Sequence, residues 1–99
     1  MIMKNRGRLE VLGVGWYRRD QWALLKAHSV DATTLEDSYD EWLAYAERAT
    51  GELREKGVEF RRVDIDVEEM IRWCKAEGRA LDGKARARFI AIKTRDQTK

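Results

Sequence analysis

With 99 residues and a mass of 11.6 kDa, the chain has room for one domain with one core. Hydrophobic residues make up 43% and charged residues 38%, enough apolar material to fold, which argues against a disordered chain. No apolar run is long enough to span a bilayer, and no apolar stretch follows the basic residues of MIMKNRGRLE as in a secretory signal. Cys74 is the single cysteine, so an intrachain disulfide is excluded and a reducing, cytoplasmic setting is expected.

The net charge of +2, from 20 basic and 18 acidic residues, hides a segregation. Residues 1–30 carry +4, residues 31–56 carry −5, residues 57–78 carry −2 and residues 79–99 carry +5. Basic ends flanking an acidic middle have two readings. The ends pack beside the middle, within one domain or across a dimer, or they form a surface for nucleic acid or another polyanion.

The first seven residues, MIMKNRG, read as a loose lead-in. Leu9–Trp16 follows as an edge strand or extended loop. Leu12, Val14 and Trp16 share one face, while Gly13 and Gly15 fall on the other and permit close backbone approach. Asp20 is a candidate cap for a short helix ending near His28. The connection SVDATTLED contains overlapping capping patterns, but Ser38 with Glu41 stands best before the long periodic segment. From Tyr39 to Lys56, the residues Tyr39, Trp42, Leu43, Ala46, Ala49 and Leu53 make one stripe at helical spacing. Gly57 is the expected left-handed stop.

Val58–Ile65 reads as a strand whose apolar parity changes between Arg61 and Arg62, the pattern of a bulge or slip. Its partner is either Leu9–Trp16 or the same strand of a second subunit, because a lone strand leaves its backbone groups unpaired. Asp66 with Glu69 opens a helix over Val67–Glu77, in which Val67, Met70, Ile71 and Cys74 share a face. Gly78 stops it. Asp82 caps a last helix, Gly83–Ile92, with Ala85, Phe89 and Ile92 inward and Arg86 and Arg88 outward. The remaining KTRDQTK is expected to fray. The fold class is therefore α+β: a mainly helical small single domain, residues 1–99, with one or two short strands, an ordered core of about 9–92 and flexible ends.

The segments GVGWYRRDQW, SYDEWLAYAE and VDIDVEEMIRWCKAEGRALDGKARARF resemble a group of small bacterial proteins of about one hundred residues with no assigned function. The resemblance runs from about Val14 to Phe89 and supplies no catalytic residue.

Chemistry-bearing motifs are few. Gly13-Val-Gly15-Trp-Tyr-Arg18 starts like a dinucleotide fingerprint, but Arg18 stands where the third glycine belongs, and no Walker-type phosphate loop occurs. The acids of Asp64–Glu69 resemble a calcium loop, yet Glu69 replaces its glycine and Lys75 its closing glutamate. One cysteine and one histidine, His28, cannot build a structural zinc site. A Cys74–His28 nucleophile pair would need an orienting carboxylate, and Cys74 reads more simply as a small buried hydrophobe. Paired acids such as Asp37, Asp40 and Glu41, or Asp64 and Asp66, lie in capping or solvated contexts.

No catalytic, cofactor or metal residue is therefore assigned. The candidate anion-binding residues are Arg18, Arg19, Lys84, Arg86 and Arg88, with Trp16 and Trp22 as candidate stacking or interface residues. The sequence points to a non-enzymatic cytoplasmic protein acting through protein–protein contacts as a homodimer. Nucleic-acid or other polyanion binding through the basic terminal segments is the alternative.

Overall fold

The computed structural model describes residues 11–97. The lead-in over residues 1–7, and the start of the strand expected from Leu9, lie outside the described residues. The elements run β1 (Leu12–Trp16), α1 (Trp22–His28), α2 (Tyr39–Glu55), β2 (Phe60–Asp64), α3 (Val67–Glu77) and α4 (Gly83–Gln97), with 3-10 turns at Arg19–Gln21 and Ala32–Thr34. The result is a small, mostly helical single domain whose two short strands form an open sheet.

β1 and β2 pair in parallel, from Leu12 opposite Phe60 to Trp16 opposite Asp64. The second strand therefore finds its partner within the chain. The register runs without interruption, so the parity change is no bulge. It arises because the sheet is covered on both faces. Phe60 lies on the α2 side, where the Arg54 guanidinium sits 5.4 Å from its ring centre. Val63, one residue out of phase, is fully buried on the α4 side, and Ile65 beyond the strand is fully buried too. A sheet buried on both faces loses the apolar alternation that a one-sided sheet would show.

The glycines of β1 make the α4 layer possible. A Cβ on Gly13 would stand 1.7 Å from Thr94 Oγ1 and 2.7 Å from Thr94 Cβ, and one on Gly15 would stand 2.4 Å from Ile90 Cδ1. Gly13→Ala should therefore destabilise the protein by about 2 kcal/mol, the usual cost of overpacking. Urea unfolding measures it; an unchanged midpoint would show that α4 does not lie this close.

Local signals explain most helix ends. Ser38 Oγ accepts from the Glu41 N–H at 3.1 Å, and Asp82 Oδ1 accepts from the Ala85 N–H at 2.9 Å. Gly57 has φ +74°, and Val58 N–H donates back to Leu53 O at 2.9 Å, the Schellman ending of α2. Asp20 is not the cap of α1. It lies within the preceding 3-10 turn, and the cap position falls to Gln21, whose side chain instead serves α3. Its Oε1 accepts from the Val67 N–H at 2.8 Å while its Nε2 donates to Asp66 at 3.0 Å.

α4 continues to Gln97, so the fraying expected after Ile92 is corrected. Thr94 is buried over Gly13, which holds this last stretch against the sheet, and its hydroxyl is satisfied within the helix by donating to Ile90 O at 2.7 Å. Gly51 stands mid-helix in α2, where glycine costs about 1 kcal/mol relative to alanine. Beyond its own helix backbone and chain neighbours, no atom of the described residues lies within 4 Å of where its Cβ would be, so their packing does not require it.

Candidate functional site

Each described ion pair joins a cation of a basic end to an acid of the middle. Arg18 reaches Asp64 (2.6 Å), Arg19 reaches Asp40 (2.7 Å), Lys26 reaches Asp37 (3.7 Å), Arg86 reaches Asp31 (2.8 Å), and Lys93 reaches Glu69. Part of the segregation of charge along the chain is thus paired off within the domain.

These pairs dissolve most of the expected anion surface. Arg18 leaves the end of β1 in an extended conformation and closes a two-pronged contact with Asp64, whose backbone is in register with Trp16. The guanidinium hydrogen bonds hold the Asp64 carboxyl below its ordinary range. Arg19 bonds Asp40 and lies 4.7 Å from the Tyr39 ring centre. Both arginines are exposed, so their pairs add little to stability, but each guanidinium already has its carboxylate partner.

Arg86 does not point outward. It is buried, with its two terminal nitrogens each 2.8 Å from one Asp31 oxygen and one of them 3.1 Å from Ser29 Oγ. Two helical positions apart means a rotation of about 200°, so Arg86 and Arg88 face opposite sides of α4. Lys84 and Arg88 are exposed on its outer side and have no ion-pair partner among the described residues. Five candidate cations therefore reduce to two on one surface.

The aromatic candidates are also drawn inward. Trp22 is a core residue, not a surface stacker, and only 5% exposed. Its indole N–H has no hydrogen-bond partner among the described residues, a cost of about 1–3 kcal/mol. Ring contacts with Tyr17, Tyr39 and Trp42, at about 0.5–1.5 kcal/mol apiece, outweigh it. Trp16 is half-buried, edge-on to Trp42 at 5.3 Å, with the Arg62 guanidinium 3.9 Å from its ring centre. The basic–aromatic interleaving is consumed by cation–π contacts inside the domain. The sequence gives no sign of the Arg62 contact, because its partner ring lies on the other strand, a proximity that only the register reveals.

No catalytic constellation assembles from the candidates. Cys74 is buried, burial pushes its thiol up from the ordinary range, and His28 is exposed at the last residue of α1. No hydrogen bond joins them among the described residues. Asp40 and Asp64 are paired with arginines, and Asp66 caps α3 by accepting from the Glu68 N–H at 3.0 Å. Hydrogen bonds, that from Gln21 foremost, hold Asp66 below the ordinary carboxylate range. No group of three or more metal-ligating side chains converges among the described residues, and none of their helices is long and apolar enough to cross a membrane.

What remains at the surface is an open sheet edge. In a parallel ladder, alternate residues direct their backbone groups to the neighbouring strand. Leu12 donates to Glu59 and Trp16 accepts from Ile65, so Gly13 and Gly15 direct theirs away from β2. Beside this edge, Leu12 is 49% exposed and Val58, at the same end of the sheet, 39% exposed. No family model, curated protein or solved structure matches the chain.

Proposed function

We propose that this is a non-enzymatic protein that acts through protein–protein contacts, and that it pairs with a second copy through the outer edge of β1. The open edge carries the reading: a two-stranded sheet whose outward N–H and C=O groups, next to exposed Leu12 and Val58, are a ready template for another strand. A homodimer built there would be isologous, each edge contributing the same residues. A cytoplasmic setting fits the unpaired, buried thiol of Cys74. Polyanion binding through both basic ends is the weaker reading, because Arg18, Arg19 and Arg86 are already neutralised by carboxylates.

Sedimentation equilibrium of the full chain in high salt tests the dimer. The expected mass is twice 11.6 kDa, and Leu12→Lys with Val58→Lys should return it to 11.6 kDa while the circular dichroism spectrum stays that of the folded protein. A wild-type protein that stays at 11.6 kDa at micromolar concentration would overturn the proposal.

A further inference from the structure

The hydrogen-bond phase of β1 restricts how a second copy can lie on its outer edge. Leu12 donates to Glu59 O and Trp16 accepts from the Ile65 N–H, so Leu12, Val14 and Trp16 turn their backbone groups to β2. Gly13 and Gly15 turn theirs to the open side, and within β1 only they can bond a partner strand. A two-fold axis through a shared edge makes the two β1 strands antiparallel. A hydrogen-bonded antiparallel pair exchanges both of its N–H···O bonds, so outward residues must stand opposite outward residues. With the axis at Val14, each chain's Gly13 pairs with the other's Gly15, which makes two such pairs within β1. With the axis on either glycine there is only one.

We propose that the dimer is antiparallel about Val14, so that Val14 faces its own copy and Leu12 faces the partner's Trp16. The register rests on the edge dimer and goes beyond it by naming the residues that select a second copy of this chain. Side-chain chemistry agrees with the backbone phase. Val14 and the Leu12–Trp16 pairs fall at non-hydrogen-bonded positions, where opposing Cα atoms are about 4.5 Å apart and side chains stand closest. All three residues lie on the α2 side of the sheet, where Trp16 meets Trp42. Leu12, 49% exposed, gains an indole as its neighbour, and half-buried Trp16, with Arg62 of β2 over its ring, gains an aliphatic one. The hydrogen-bonded positions hold glycines, so on the α4 side no β1 side chain stands between the strands. Moving the axis loses this match. On Gly13 it leaves Trp16 without an opposite residue in β1, and on Gly15 it sets Leu12 opposite Arg18, which Asp64 already holds.

Isotope-filtered NOE spectra of a wild-type dimer, mixed from labelled and unlabelled chains, test the register. The Leu12 methyl protons should contact the Trp16 indole of the other chain. Within one strand these two residues are roughly 13 Å apart, too far to give the signal inside a chain. Val14→Cys gives a second reading under copper–phenanthroline oxidation. Its thiols should join two chains at least about tenfold faster than those of Leu12→Cys, whose Cα atoms would stand roughly 14 Å apart, beyond disulfide reach. The wild type, whose single Cys74 is buried, is the blank, and circular dichroism checks that each variant is folded. A wild-type dimer without the Leu12–Trp16 signal would overturn the register, as would Leu12→Cys joining as fast as Val14→Cys. The dimer itself survives either result. A wild type that stays at 11.6 kDa overturns the dimer, and the register with it.

Discussion

Trp42→Ala is expected to cost about 3–5 kcal/mol of unfolding free energy, the range for removing a large aromatic from a core. Trp42 is the hub of a five-ring cluster. Its centroid lies 5.3 Å from those of Trp16, Tyr17 and Tyr39 and 5.8 Å from that of Trp22. These rings belong to β1, the turn after it, α1 and α2, so one side chain joins everything N-terminal to β2. Domains of this size have a total stability of about 5–15 kcal/mol, so the variant is expected to be marginal at room temperature. Tyr45→Ala is the control, because Tyr45 is on the same helix and 53% exposed, and it should change stability by less than about 0.5 kcal/mol. Urea unfolding of both variants is the measurement. A Trp42→Ala loss below about 1 kcal/mol would remove the residue from its place as hub.

The stripe that buries Trp42 is legible in the sequence because it repeats at helical spacing over several turns, and local chemistry marks both its ends. Ser38 caps it and Gly57 closes it, each through contacts only a few residues long. α4 is less legible for the opposite reason. Its inward face includes Arg86 and Thr94, polar residues that periodicity assigns to water, and what draws them inward lies far along the chain. Arg86 is buried because Asp31, 55 residues earlier, completes it. Thr94 is buried because Gly13 leaves room for it. The same distance hides Gln21, whose amide holds the start of α3 although it stands 46 residues before Val67. Charge segregation is visible in the sequence, and its internal cancellation is one of the two readings it allows. Choosing between them needs the partner of each arginine, which depends on side-chain direction and not on composition.

The pairing of Arg86 with Asp31 leads to the second large expected effect. Asp31 accepts both guanidinium nitrogens and also the Gly83 N–H at 3.1 Å, so it joins the loop after α1 to the first turn of α4. Asp31→Ala leaves a buried guanidinium with only the Ser29 hydroxyl as a hydrogen-bond partner among the described residues. Breaking a buried pair in this way costs about 3–5 kcal/mol, and the low end, about 3 kcal/mol, is expected because the Asp31 side chain keeps 27% exposure. Adding Arg86→Met should recover part of that loss, since it removes the stranded charge. The pair also sets an acid limit. Arg86, through its hydrogen bonds, lowers the Asp31 carboxyl from its ordinary 3.8 to about 2. A carboxyl lowered in the folded state gives stability that is complete above its unfolded value and lost as pH falls through the folded one. The contribution of Asp31 should therefore be intact above about pH 4 and decline between about pH 4 and about pH 2. Asp64 and Asp66 are lowered as well and act in the same sense, but they are common to the wild type and to Asp31→Asn. Across that window the unfolding free energy of Asp31→Asn should fall less steeply than that of the wild type. Equal slopes in urea titrations at several pH values would mean that Asp31 is not held by Arg86 in the folded protein.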